Sequence, residues 1–324
     1  MNKNNVFQGP DAMRRFMDPD ENPPIPLVEL PADLNPFAEK KVRIFAKLMY
    51  LVPLMNVKSV MAYNMLLDAE KKGKLGEDET IVENSSGNTG FSFAILSRLF
   101  GVKSVITFVP MDIAPGKLEL LRLAGAYTRM IRPGEKGGIE QAREAAKGDG
   151  FFNPGQYDNE ANVEAHYKWT GKQIWEQTEG KVSMVIVGLG TTGTADGIKD
   201  RLVEEGSRAP VIGVIVEEGS AIPGVRTKKR LEEISFDWKS KIDFTVEVNT
   251  KDSYRKSLAL IRHGFMAGPS SGFALKGVFE FLESQEDLDR FRNSDGEVVV
   301  VFVCPDTPFP YLDKYSTILD PEDF

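Results

Sequence analysis

The segment with the clearest chemistry is Gly188-Leu189-Gly190-Thr191-Thr192-Gly193-Thr194, which follows the apolar run at 185–187 and opens a helical pattern. Glycines allow a tight turn in which several main-chain N–H groups converge on an anion at a helix N-terminus. Read literally it is GxGxxG, and a later strand ending in Glu217-Glu218 would complete a nicotinamide-dinucleotide site. A glycine-rich turn without a ligand is the plainer alternative. The second segment is Glu83-Asn84-Ser85-Ser86-Gly87-Asn88-Thr89-Gly90, between an apolar run and an apolar helix. Its hydroxyls, amides and glycines at a helix start suit a carboxylate or phosphate. A serine N-cap would explain part of it. A dinucleotide enzyme leaves this second anion cradle unexplained, whereas a phosphorylated cofactor plus an amino-acid substrate accounts for both.

Little else in the chain can do chemistry. Cys304 is the single cysteine and His166 and His263 are the only histidines, so thiolate or histidine-rich metal sites are not expected. His166 reads as a helix-surface or interface residue, and His263 as a cation at a helix C-terminus. The 324 residues carry 40 Lys and Arg against 48 Asp and Glu, a net charge of −8. That balance argues against a nucleic-acid or anionic-membrane partner. No apolar run approaches a membrane span and the opening residues lack a signal-peptide core, so a reduced, cytoplasmic protein is expected.

The elements that must position these groups alternate between apolar runs and amphipathic stretches, the pattern of parallel sheets covered by helices. Strands are predicted at 43–49, 80–83, 104–109, 127–131, 184–187, 211–216 and 298–303. Helices are predicted at 57–72, 90–99, 114–123, 138–147, 162–176, 193–205, 254–263 and 272–283. The strands are apolar throughout, which predicts burial on both faces. The glycine-rich stretch 147–156 reads as a domain junction, and the acidic ending 320–324 as a solvated tail.

Around Asn88 the sequence resembles the asparagine loop of the fold-type II pyridoxal-phosphate enzymes, in particular the cysteine synthase and cystathionine β-synthase family. Other segments agree in order. The stretch from Lys47 through Pro53-Leu54-Met55-Asn56-Val57-Lys58 stands in place of the family's lysine motif. Pro154-Gly155-Gln156-Tyr157-Asp158-Asn159 is similar to its substrate-carboxylate glutamine segment, and 188–194 to its phosphate loop. Ala267-Gly268-Pro269-Ser270-Ser271-Gly272 resembles its Gly-x-Ser-Ser-Gly turn, and Pro305-Asp306-Thr307 its pyridine-partner turn. The likeness runs from Ile25 to Tyr315 and displaces the dehydrogenase reading.

The resemblance implies a two-domain α/β fold like that of the tryptophan synthase β subunit, each domain a mostly parallel sheet flanked by helices, with pyridoxal 5'-phosphate between them. A larger cofactor domain is expected at 1–42 plus 155–324, and a smaller mobile substrate-carboxylate domain at 43–154. It implies Lys58 as the Schiff-base lysine and general base, its pKa lowered by its apolar neighbours. Asn88 would hold the cofactor's 3′-oxygen, Gly190, Thr191, Thr192, Gly193 and Thr194 its phosphate, and Thr307 its pyridine nitrogen. Should Asp306 face the ring instead, the ring would be the stronger electron sink. Ser85, Ser86, Thr89 and Gln156 would bind the substrate carboxylate. The implied reaction is β-replacement on serine or an O-activated serine by sulfide or a thiol, through an aminoacrylate, in a homodimer. A serine or threonine dehydratase on the same scaffold, or a pyridoxal-phosphate binder with altered catalysis, are the alternatives.

The departures are local. Where the family usually shows Asn-Pro-Thr-Gly-Ser-Val-Lys-Asp-Arg, this chain has Val52-Pro53-Leu54-Met55-Asn56-Val57-Lys58-Ser59-Val60. Thr192 stands where a glycine is usual. Arg226 replaces a glycine and precedes the basic run Lys228-Lys229-Arg230. Its guanidinium fork would suit a phosphate leaving group, as on O-phosphoserine. The plainer reading is a solvated charge run opening a helix.

Overall fold

A computed structural model describes residues 4–76 and 79–324. The chain forms two compact units, Met1–Pro23 with Val52–Asn162, and Pro24–Leu51 with Val163–Phe324. In chain order the strands are β1 (Leu27–Glu29), β2 (Val42–Lys47), β3 (Thr80–Asn84), β4 (Ser104–Pro110), β5 (Tyr127–Ile131), β6 (Phe151–Phe152), β7 (Met184–Gly188), β8 (Val211–Val216), β9 (Phe244–Val248) and β10 (Val298–Val303).

The larger unit holds a six-stranded sheet in the order β1-β2-β10-β7-β8-β9. Only β1 is antiparallel, its Leu27 facing Lys47 across the ladder. Every residue of β8 and β10 is buried, as expected for strands covered on both faces. Each fully buried Val or Phe there contributes roughly 1.5–3 kcal/mol of transfer free energy. The covering helix Pro269–Glu283 lies close: a Cβ on Gly277 would meet Val214 Cγ2 at 2.4 Å. The smaller unit holds a parallel sheet in the order β5-β4-β3-β6, with Val82, Phe108 and Ala142 in its core. All seven predicted strands and the eight predicted helical regions form, with shifted ends. β9 escapes the sequence reading because it is an edge strand whose Phe244, Thr245 and Glu247 face solvent, so no apolar run marks it.

Four expectations differ from what forms. Residues 4–23 group with the smaller unit rather than the larger, because Arg14 pairs with Glu70 at 2.5 Å and lies over the Phe100 ring at 4.3 Å. β2 groups with the larger unit because its full length pairs with β10. The stretch 147–156 is not a junction: Phe151 and Phe152 pair with Thr80 and Ile81, which holds it inside the smaller unit. The acidic ending is not free in solvent. Asp320 pairs with Lys251, Asp323 pairs with Arg255 at 2.6 Å, and Arg262 donates to Phe324 O, so opposite charge fixes it along the helix Thr250–Arg262.

Candidate active site

On the smaller unit, Lys58 is the first residue of the helix Lys58–Lys71 and is half-buried. The turn before it is built by Asn56, which is 3 % exposed. Asn56 Nδ2 donates to Leu54 O at 2.7 Å, and its Oδ1 accepts from Ser92 Oγ at 3.1 Å. Ser59 closes the first helical turn by donating its hydroxyl to Asn56 O at 2.8 Å. The polar pair that departs from the family pattern thus carries the local geometry. Leu54 is buried, but Met55 is exposed and sits at φ 54°, a left-handed conformation.

The same unit carries the segment 83–90 between β3 and the helix Asn88–Leu96. Gly87, not a serine, is the N-cap of the helix, but Ser85 Oγ accepts the N–H groups of Gly90 at 3.0 Å and Gly87 at 3.3 Å and keeps its own proton to donate. Gly90 must be glycine, since a Cβ would meet Thr107 Cγ2 at 2.7 Å. Ser85, Ser86 and Asn88 are half-buried and Thr89 is buried. Thr89 Oγ1 lies 2.9 Å from Gln156 Oε1, which joins two sequence-predicted residues 67 positions apart.

On the larger unit, β7 leads into the loop 188–194 and the helix Gly193–Glu204. Gly190, Thr191, Thr192, Gly193 and Thr194 are all buried. The first N–H groups of a helix have no acceptor within it, and Asp196 N, bonded to Thr192 O at 3.0 Å, is where the ladder begins. That leaves a turn of main-chain donors beside the Thr191 and Thr194 side chains, a set that matches a phosphate dianion. A Cβ on Gly190 would meet Gly224 O at 2.3 Å, so this glycine is fixed by packing against the neighbouring loop. Thr192 is left-handed at φ 67° and donates its hydroxyl to Asp196 Oδ2 at 2.8 Å.

His166 corrects the sequence reading. It is fully buried rather than on a helix surface, within a π-helical turn His166–Gly171. Its Nε2 lies 3.1 Å from Thr194 Oγ1 and its Nδ1 2.9 Å from Thr170 Oγ1. The extra residue of a π-turn is frequent at functional sites. Here it accompanies a close approach, since a Cβ on Gly197 would meet Val163 O at 2.3 Å. A histidine three residues before Trp169 in a helical pattern gives no sequence sign of this.

Asp306 and Thr307, after β10, are both buried. Asp306 Oδ2 accepts from Tyr311 at 2.6 Å and its Oδ1 from Ser270 Oγ at 3.2 Å, so both oxygens are engaged. Gly272, following the serine pair, meets the preceding helix Thr250–Arg262 at backbone distance: a Cβ there would lie 2.0 Å from Ser253 O and 2.3 Å from Ser257 N. Arg226 is 7 % exposed, and its Nη1 donates to Arg230 O at 3.0 Å and to Glu233 at 2.9 Å. Lys228, Lys229 and Arg230 are exposed on a short helix capped by Thr227, the solvated charge run of the plainer reading.

Against known proteins, the chain matches the pyridoxal-phosphate dependent enzymes over residues 20–305. It is 30 % identical to cysteine synthase B of Salmonella typhimurium over 81 % of this chain and 84 % of that enzyme. It is 31 % identical to the cysteine synthase of Aquifex aeolicus over 89 % of this chain and 88 % of that one. Among solved structures it resembles cysteine synthase from Entamoeba histolytica, with TM-score 0.80 and 25 % identity, over 99 % of this chain and 94 % of that one. No helix among the described residues is long and apolar enough to cross a membrane. With the family matched across most of its length, this chain belongs to the pyridoxal-phosphate dependent enzymes and carries that cofactor.

Proposed function

We propose that the enzyme replaces the β-substituent of serine or an O-activated serine with sulfide or a thiol, a reading supported by the relatives named cysteine synthase. The observation that carries this reading is the presence of two anion cradles of different make. The turn 190–194 offers main-chain N–H groups and threonine hydroxyls, which suits a phosphate. The segment 85–90 with Gln156 offers side-chain hydroxyls and amides at a second helix start, which suits a carboxylate.

When bound, pyridoxal phosphate supplies an aldehyde that captures amines and a ring that draws electrons from the α-carbon. Gly190, Thr191, Thr192, Gly193 and Thr194 are assigned to its phosphate, with His166 orienting the Thr194 hydroxyl. Thr307 is assigned to the pyridine nitrogen, because Asp306 is already held by Ser270 and Tyr311. Asn88 is assigned to the 3′-oxygen. Ser85, Ser86, Thr89 and Gln156 orient the substrate through its carboxylate. Lys58 Nζ, at the start of its helix, holds the cofactor and then moves the proton on the substrate's α-carbon. Losing that proton allows the substituent on the β-carbon to leave with its electron pair, the incoming thiol adds at the β-carbon, and Lys58 returns a proton to the α-carbon. Arg226, whose guanidinium also donates to Glu233, is assigned as a donor to a phosphate leaving group.

Borohydride reduction of the holoenzyme followed by peptide mapping is expected to find the cofactor's mass on Lys58, and an unlabelled Lys58 overturns the assignment. Incubation of O-acetylserine with sulfide is expected to yield a thiol amino acid; pyruvate alone overturns β-replacement in favour of the dehydratase. Turnover of O-phosphoserine and O-acetylserine by wild type and Arg226→Ala decides the arginine's part. A loss confined to the phosphate ester supports it, and equal effects remove it. A homodimer is expected in sedimentation.

A further inference from the structure

Behind Thr89 and Gln156 lies a carboxyl group that no step above uses. Glu83 sits on β3 and is 2 % exposed. Its Oε1 accepts the Asn84 N–H at 2.8 Å and Gln156 Nε2 at 3.2 Å, and its Oε2 accepts the Gln156 main-chain N–H at 3.5 Å. Gln156 Nε2 has a second acceptor in Asn84 O at 3.1 Å. A carboxylate and a carbonyl can only accept, so both hydrogens of the amide face Glu83 and Asn84. The amide oxygen is therefore the atom that faces Thr89, and the Thr89 hydroxyl must donate to it, at 2.9 Å. A hydroxyl has one proton. Thr89 then offers only lone pairs to any further partner, the reverse of Ser85, whose oxygen accepts two main-chain N–H groups and whose proton is left to give.

We propose that Glu83 is a positioning residue of the substrate-carboxylate segment, fixing the Gln156 amide and through it the Thr89 proton. On this view a substrate carboxylate is taken by Ser85, Ser86 and the main-chain N–H groups at the start of the helix, while Thr89 accepts from a donor such as the substrate's amine. The inference rests on the carboxylate assignment made above and changes which atoms carry it.

The surroundings agree. Burial pushes the Glu83 carboxyl up to about 7, against the pull of its hydrogen bonds from Asn84 and Gln156. The charged neighbour is Asp158, which raises it further and is itself paired with Arg143. A protonated carboxyl still presents a carbonyl oxygen to Asn84 and Gln156, so the orientation holds in both states. Shape, more than charge, is what Glu83 supplies.

The test uses the cofactor-loaded protein. Affinity for L-alanine, which has no β-leaving group, is read from the change in cofactor absorbance. KM and kcat are measured with O-acetylserine and sulfide. Glu83→Ala is expected to raise the alanine Kd and the KM by about tenfold with kcat within about threefold, since the Gln156 amide and the Thr89 hydroxyl lose their fixed orientation and with it one hydrogen bond to the substrate. Glu83→Gln keeps an acceptor in place and is expected to stay within about threefold of wild type on all counts. Glu83→Asp retracts the carboxyl by one methylene and is expected to follow the alanine variant, which keeps the test alive should Glu83→Ala fail to fold. Unchanged affinity in Glu83→Ala and Glu83→Asp overturns the proposal alone. A fall in kcat at constant KM also overturns it. A wild type that gives no response to alanine refutes the carboxylate assignment and this inference with it.

Discussion

Met55 and Thr192 pose one backbone problem and answer it differently. Both stand where the resembling family has glycine, and both adopt left-handed conformations, φ 54° and φ 67°. For an L-residue that costs roughly 1–2 kcal/mol. Thr192 is buried and bonds Asp196 at 2.8 Å, so its side chain offsets the strain locally. Met55 is 55 % exposed, and its turn is set by others: its own N–H reaches Val52 O at 2.8 Å, and Asn56 clasps Leu54 O. In the turn 190–194 the substituted residue supports its own conformation. In the lysine turn the neighbours impose it. The path of the chain is kept in both places, and what changes is the chemistry presented beside it.

The comparison can be broken or sharpened by substitution. The largest effect is expected for Lys58→Ala, which removes the proposed base and cofactor anchor. β-Replacement should fall by at least about a thousandfold while the circular dichroism of the fold is unchanged. If activity survives, the lysine turn does not serve the chemistry and its strain needs another explanation. Next is the pH response of Glu83, the buried acid of the same unit as Met55. Its carboxyl titrates near 7 in the folded chain against an ordinary value of 4.5, so the folded state holds the proton more tightly. Stability from this group is therefore complete below about 4.5 and is lost as pH rises toward 7, by up to about 3 kcal/mol. The difference in urea unfolding free energy between wild type and Glu83→Gln should fall from pH 5 to pH 8, and a flat difference contradicts the burial argument.

Asp196→Ala should come third, at about 1–3 kcal/mol of lost stability, because it leaves Thr192 strained and its buried hydroxyl without that acceptor. Thermal unfolding checks it, and no loss would mean that Thr192 is supported as Met55 is, from outside. Smallest is Met55→Gly. Relief of the left-handed strain is expected to outweigh the extra freedom of glycine when unfolded, for a gain of about 0.5–1 kcal/mol in chemical denaturation. A loss would show that the methionine side chain stabilises the turn.

The main elements were legible because several strands, such as 298–303 and 211–216, are unbroken apolar runs that mark buried parallel strands, whereas nothing in those runs specifies the strand order β1-β2-β10-β7-β8-β9. The two cradles were legible for the same local reason, small polar residues clustered between a strand and a helix. Long-range polar partnerships were not. His166 looks like any helical histidine until Thr194 arrives from 28 residues away. Lys47 sits in an apolar strand, yet it is fully buried with Nζ on Ile25 O, Gln173 and Gln177, and burial brings its pKa down to about 7. The arrangement Glu83–Gln156–Thr89 joins residues up to 73 positions apart, which periodicity cannot bring together. Charge alone misled at the acidic ending, because its partners lie on one face of a helix more than 60 residues upstream.

Gly272 has a practical corollary for redesign. Its hydrogen is the only substituent that the two helices meeting there leave depth for. A campaign that redesigns this scaffold should hold that position constant and diversify position 55, where a bulky exposed side chain is already accommodated. Libraries that randomise both would spend most of their members on proteins that never assemble.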